Sequence, residues 1–223
     1  MKKWLVRKPQ KEFAEKILRE SEVTPLCADI LAARGFTSAE DAAKQLNSDG
    51  LSDPFLLKDM REAADVINDA VENFESICIY GDYDCDGITS TVILFSYLEC
   101  MGANVTYYIP ERSEGYGLNA DAVRELAKRG VNLIITVDNG ISAIEESKLI
   151  YELGMHLVVT DHHQPGDELP QAEAVVDPHR KDCPSTFKYL CGAGVALKLV
   201  AALENGDYET ALNEYGEFAA MGT

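Results

Sequence analysis

The 223-residue sequence contains no uninterrupted apolar run approaching the ~20 residues that a membrane-spanning helix requires. Its basic start, Met1-Lys2-Lys3, leads into Trp4-Leu5-Val6-Arg7 rather than a long apolar segment, which argues against a secretory leader. No membrane association and a cytoplasmic location are therefore expected. Cysteines at metal or redox spacing are also missing. Cys27, Cys78, Cys85, Cys100, Cys183 and Cys191 are scattered with no CxxC, so neither a zinc knuckle nor a dithiol motif has support, and reduced, mostly buried thiols are expected. Positive charge is scarce: 20 Lys and Arg stand against 38 Asp and Glu, a formal net charge of −18, which argues against a broad electropositive surface for nucleic acid. Basic charge gathers at Lys2, Lys3, Arg7, Lys8, Lys11, Lys16 and Arg19, where a solvated face is a simpler reading than a phosphate contact. Internal repeats and low-complexity tracts are absent.

Hydrophobic residues make up 46% of the chain, enough for a well-buried core in one large domain or two small ones. Residues 11 to 73 carry helical signals and no convincing strand. Phe13, Ile17 and Leu18 fall on one helical face, Pro25 suits a first turn, and Gly35 is a natural stop. Ser38-Ala39-Glu40-Asp41 opens a short helix, and Met60 to Phe74 reads as a longer one. From Ile77 onward strands alternate with helices. Strands are expected at Ile77, Val105–Ile109, Leu133, Leu157 and Ala174, with helices over Ile88–Met101, Asn119–Arg129, Ala143–Leu153, Gly194–Leu203 and Tyr208–Met221. The expected fold is therefore α/β, a mostly parallel sheet flanked by helices over 75–223, preceded by a small helical layer over 1–74.

Four apolar runs end in acidic or histidine-bearing segments. Ile77-Cys78-Ile79-Tyr80 runs into Gly81-Asp82-Tyr83-Asp84-Cys85-Asp86-Gly87, and Leu133-Ile134-Ile135-Thr136-Val137 into Asp138-Asn139-Gly140. Leu157-Val158-Val159-Thr160 leads to Asp161-His162-His163, and Ala174-Val175-Val176 to Asp177-Pro178-His179. Neighbouring parallel strands deliver their carboxyl ends to one edge, where open α/β sheets build their sites. Carboxylates gathered there repel one another and call for a compensating cation. Oxygen ligands with one or two imidazoles suit Mn²⁺ or Mg²⁺ better than a closed zinc site.

These residues carry a resemblance. Gly81-Asp82-Tyr83-Asp84-Cys85-Asp86-Gly87-Ile88-Thr89-Ser90-Thr91, Val137-Asp138-Asn139-Gly140 and Asp161-His162-His163 resemble the first three motifs of the DHH phosphoesterase superfamily, and within it the branch of single-strand-specific 5′→3′ exonucleases. Pro110-Glu111-Arg112, Gly115-Tyr116-Gly117-Leu118-Asn119, Gly192-Ala193-Gly194 and Leu31-Ala32-Ala33-Arg34-Gly35 extend the resemblance over nearly the whole chain. It implies two metal ions. Asp84 and Asp86 would be ligands of different ions, Asp138 the bridging carboxylate and His162 the imidazole ligand, with Asp82 a further candidate. Asp161 would orient its neighbouring histidine, and His163 would face the scissile phosphate. In such a scheme two ions about 3.5–4 Å apart activate a shared water and neutralise the phosphoryl oxygens. Single-stranded DNA is the implied substrate, 5′-mononucleotides the product, and a helicase and single-strand-binding protein the implied partners.

Arg112 and His179 are candidates for holding phosphate, and Tyr116 either stacks a base or packs its loop. Gly192 and Gly194 either offer backbone N–H groups to an anion or permit close helix packing. Asp177 with Pro178 is a ligand or a turn, and Cys85 reads as a small filler. A fourth motif with a further metal-binding aspartate would follow a Gly-Thr like Gly222-Thr223, so the chain reads as an N-terminal piece of a longer protein in which part of the site is lacking. Two other readings stay open. One is a DHH hydrolase of oligoribonucleotides, cyclic dinucleotides or pyrophosphate, whose first motif tends to begin with histidine where Tyr80 stands here. The other is a non-catalytic replication scaffold, which would have no need of the full acidic cluster.

Overall fold

A computed structural model of the chain describes residues 7–46, 50–115 and 117–223. The chain divides into two compact units, Met1–Leu51 and Ser52–Thr223. The first holds helices α1 (Lys11–Glu20), α2 (Pro25–Arg34) and α3 (Ala39–Leu46) around Ile17, Ala28, Leu31 and Ala42. Thr24 caps α2, its hydroxyl accepting from the Cys27 amide at 3.3 Å, and Gly35 ends it in the left-handed region. Leu18, expected on the buried face, is 39% exposed because Ala14 and Ile17 fill that face.

The second unit begins with a 3₁₀ turn (Pro54–Leu56) and helix α4 (Met60–Glu72), so α4, grouped by sequence with the N-terminal helices, packs on the sheet instead. Then follow β1 (Ile77–Tyr80), α5 (Cys85–Cys100), β2 (Val105–Tyr108), α6 (Ala120–Lys128), β3 (Leu133–Val137), α7 (Ile144–Glu152), β4 (His156–Thr160), β5 (Ala174–Val176), α8 (Gly192–Leu203) and α9 (Glu209–Gly222). The strands form a five-stranded sheet in the order β2-β1-β3-β4-β5, every pair parallel.

Both faces are covered, which explains why the strands are apolar without alternation. Ile77, Ile79, Leu133, Ile135, Val137, Val158 and Val176 face α4, α5, α8 and α9. Cys78, Tyr80, Ile134, Leu157, Val159 and Val175 face α6 and α7 through Ala122, Val123, Leu126 and Ile150. Burying one such aliphatic side chain stabilises by about 1.5–3 kcal/mol, so the two layers fix the strand register on which the edge depends. Among the described residues no helix is long and apolar enough to cross a membrane. All six cysteines are free, but only Cys78 and Cys183 are buried; Cys85 and Cys100 are exposed, because both lie at the ends of α5 rather than along its packed face.

Candidate metal centre

Strands β1, β3, β4 and β5 are consecutive neighbours in the sheet, so the segments after Tyr80, Val137, Thr160 and Val176 emerge side by side. In the first of them Asp82 is 1% exposed, and a Cβ on Gly87 would stand 2.6 Å from its Cβ. Helix α5 starts three residues before the expected Ile88, because the Asp84 carboxylate caps it by accepting the Gly87 amide at 2.9 Å. Asp86 therefore lies in the first helical turn rather than in a loop. Its carboxylate spans to α8, accepting from the amides of Gly192 and Ala193, both at 2.7 Å.

Asp138 occupies the left-handed region at φ 62°, a conformation that Asp tolerates better than most residues. Asn139 clamps the turn behind it, donating to the carbonyls of Val137 at 3.0 Å and Tyr80 at 3.2 Å. Ligand atoms of Asp82, Asp84 and Asp138 lie within 4.8 Å of one another, and so do those of Asp138, His162 and His163. Asp138 is common to both groups. His162 Nε2 stands 3.0 Å from Asp138 Oδ1 and 3.4 Å from Asp86 Oδ2.

Asp161 orients His163, not the ring of His162: its Oδ1 is 2.7 Å from His163 Nδ1 and holds His162 only through the backbone amide at 2.7 Å. Its other oxygen accepts the Ile141 amide at 2.9 Å. Burial pushes Asp161 upward, but the His163 ring and the Ile141 amide outweigh it and hold the carboxyl below its ordinary range. The same contact raises His163 to about 9. Burial raises Asp138 to about 6 and Asp177 to about 7, and it raises Asp82 as well. His162 is raised, chiefly by its hydrogen bond to Asp138.

Both carboxylate oxygens of Asp82 and Oδ2 of Asp177 are buried without a hydrogen-bond partner. Orphaned anionic oxygens beside further carboxylates are what a polyvalent cation or protons would satisfy. The donors are hard oxygens with imidazole, so the residues fit Mn²⁺ or Mg²⁺. A cleft of about 380 Å³, lined by Gly117, Leu118, Gly140, Ile141, Ser142, Ala143, Glu146, Asp161 and His163, opens beside the cluster.

The remaining candidates are placed unevenly. Arg112 is exposed, its guanidinium 5.0 Å from the ring centroid of Tyr83, a shelf that the sequence reading missed. Tyr116 lies outside the described residues. His179 follows β5, its amide donating to Asp177 Oδ1 at 2.6 Å while its ring Nδ1 is 3.8 Å from that oxygen. The α8 amides expected to meet an external anion meet the chain's own groups: Gly192 N donates to Asp86, and Gly194 N to Cys191 Sγ at 3.2 Å. Gly192 is small for another reason, since a Cβ there would collide with Asp138. The Cys85 thiol turns to the Met221 carbonyl at 3.4 Å.

The sequence profile of the DHH family, N-terminal domain, matches residues 76–223, the span that carries every ligand candidate. The chain belongs to the DHH family. It is 45% identical over 204 residues to the single-stranded-DNA-specific exonuclease RecJ of Bacillus subtilis, covering 90% of this chain and 26% of that protein. It thus spans about a quarter of the length of that relative. Among solved structures of DHH proteins, an exonuclease RecJ bound to manganese superposes with a TM-score of 0.68 at 38% identity, covering 75% of this chain and 43% of the other. RecJ from Thermus thermophilus in complex with Mn²⁺ superposes with a TM-score of 0.73 at 33% identity over 96% of this chain and 30% of the other. The Mg²⁺ complex of that protein gives a TM-score of 0.60 at 27% identity, over 96% of this chain and 27% of the other.

Proposed function

We propose that this DHH chain carries the metal centre of a RecJ-type exonuclease, which degrades single-stranded DNA from its 5′ end to 5′-mononucleotides in cytoplasmic DNA repair and recombination. The observation that carries this reading is the meeting of two ligand groups on Asp138. Asp82, Asp84 and Asp138 would hold one Mn²⁺ or Mg²⁺, and Asp138 and His162, with Asp86 3.4 Å from that imidazole, the other. When bound, such ions supply an acidified water and neutralise charge on the phosphoryl oxygens.

The chain's own side chains do the rest. Asp161 keeps a proton on His163 at neutral pH, so its imidazolium presents positive charge and an N–H donor to a phosphate beside the cluster. Arg112, propped on Tyr83, offers a planar fork to a second phosphate or to the 5′ end. Asp86, held by two α8 amides, ties the first motif to α8 and so fixes the His162 contact. A helicase supplying single strands and a single-strand-binding protein are the partners this reading carries.

One observation separates it from the small-substrate hydrolases. Tyr80, where their first motif tends to begin with a histidine, is fully buried; its ring stacks on Tyr108 at 5.0 Å and its hydroxyl donates to the Gly117 carbonyl at 3.2 Å. The test is calorimetric titration of the chain with Mn²⁺ beside Asp138→Ala, then digestion of 5′-labelled single strands. Uptake lost in the variant is expected; a folded wild type that binds no Mn²⁺, or a variant that binds equally, overturns the assignment.

A further inference from the structure

Segment 181–190 between β5 and α8 exposes two aromatic rings: Phe187 is 48% exposed and Tyr189 85%. They are not loose side chains on a slack loop. The rings meet edge to face, centroids 5.9 Å apart at 77°. Buried Ser185 donates its hydroxyl to the Phe187 carbonyl at 3.2 Å, and Lys188 Nζ donates to the carbonyl of buried Cys183 at 3.1 Å. A backbone pinned at both points presents an aromatic pair to solvent, the kind of patch that marks an interaction surface.

Its place in the chain says what it would meet. Tyr189 precedes Gly192 by three residues, which bounds their Cα separation at about 11 Å. Gly192 itself abuts Asp138 and binds Asp86. The same segment alternates Phe187-Lys188-Tyr189 and carries Lys181, local positive charge in a chain of net charge −18. A chain so acidic offers a polyanion no broad basic surface of its own, so contacts to bases are the affinity that its own residues can add. Stacking on aromatic faces does that for unpaired bases of any sequence.

We propose that Phe187 and Tyr189 form a stacking platform for unpaired bases of the strand whose phosphate lies at the Asp138 cluster. The proposal rests on the exonuclease reading above and names the contact that would make the site prefer single strands, since bases paired in a duplex do not offer their faces.

The test uses a short phosphorothioate oligonucleotide carrying 2-aminopurine near its phosphorylated 5′ end, titrated into the Mn²⁺-loaded chain. Fluorescence quenching is expected with the wild type, and Phe187→Ala and Tyr189→Ala should each weaken binding on the order of tenfold. Tyr189→Phe, which keeps the ring, should bind like the wild type, and an abasic residue at the stacked position should erase the difference between wild type and Tyr189→Ala. Mn²⁺ affinity by calorimetry should be the same in all variants. Unaltered oligonucleotide binding by the double alanine variant overturns the platform and leaves the metal reading standing, as does a wild-type chain that takes up Mn²⁺ without quenching 2-aminopurine. A dimer in sedimentation that Tyr189→Ala dissolves, with no quenching, would give the rings to a second copy instead. A wild type that binds no Mn²⁺ overturns the metal reading, and the platform falls with it.

Discussion

A methyl group on Gly192 would stand 2.6 Å from both Cβ and Oδ1 of Asp138, closer than real Cβ atoms come. The first residue of α8 is thereby pressed against the carboxylate shared by both ligand groups. Gly192→Ala removes no ligand and adds helix propensity, yet Asp138 must move. Overpacking of this kind costs about 1–3 kcal/mol, and a displaced ligand about 10–100-fold in metal affinity. Gly194→Ala is the control: its nearest neighbour is the mobile end of Leu190 at 3.2 Å, and Mn²⁺ affinity should be retained. Calorimetry on the two variants checks the contrast, and equal affinities would show that Asp138 tolerates displacement.

Charge burial at the cluster makes the metal-free fold sensitive to pH. Asp138 and Asp177 have folded-state pKa values raised by burial to about 6 and about 7, against 3.8 unfolded. A carboxyl raised in the fold stabilises it at low pH, and that contribution is lost as pH rises through the folded value. Metal-free protein should therefore lose stability, on the order of 2–3 kcal/mol for Asp138 alone, between about pH 4 and pH 7. Mn²⁺ needs the ionised carboxylates and neutral His162, so its affinity should climb over the same range and reverse the loss. Asp138→Asn should make the slope in EDTA shallower, leaving the part due to Asp177, and abolish the Mn²⁺ effect. Urea midpoints at several pH values, with and without Mn²⁺, decide it; a flat profile for wild type in EDTA would contradict the burial argument.

The sheet edge was legible because continuous apolar runs and their acidic ends are local patterns. The runs at Ile77, Leu133, Leu157 and Ala174 are strands buried on both faces, and such strands read as unbroken apolar segments. What the sequence hid is non-local. Gly81 to Gly87 reads as a loop by composition, but the Asp84 cap starts α5 inside it. No local rule pairs Asp86 with amides more than 100 residues away on α8, nor explains Gly192 by a carboxylate just past the end of β3. The Asp161–His163 pairing depended on ring orientation, which spacing along three adjacent residues does not set.

That pairing makes a prediction of its own. With Asp161→Asn the anionic partner of His163 is lost, and its imidazole should titrate well below about 9, toward the ordinary 6.5. Mn²⁺ affinity should be largely retained, because His162 keeps its contact with Asp138. Histidine titration by NMR, with calorimetry on the same sample, checks both. A His163 value unmoved by the substitution would mean that other charges hold its proton.

Farther from the cluster, Arg180 carries a load that no sequence pattern announces. It is 7% exposed, forks onto Asp182 at 3.0 and 2.7 Å, and bonds Asp59 and the Val175 carbonyl. Asp59 also takes the Val175 amide at 3.4 Å, so the ion pair staples the start of α4 to β5, the strand that delivers Asp177. Removing the guanidinium leaves the Asp59 carboxylate only the Lys58 ammonium at 2.9 Å and the Val175 amide. Arg180→Met, which keeps the apolar stem, should cost roughly 2–4 kcal/mol, somewhat below the 3–5 of a fully buried pair because Asp59 retains some solvent. Arg180→Met combined with Asp59→Asn should recover part of that loss, since the part-buried charge that Arg180 neutralised is then gone as well. Denaturant midpoints of the two variants decide the matter, and a single variant as stable as wild type would show that the staple is bystander to the fold.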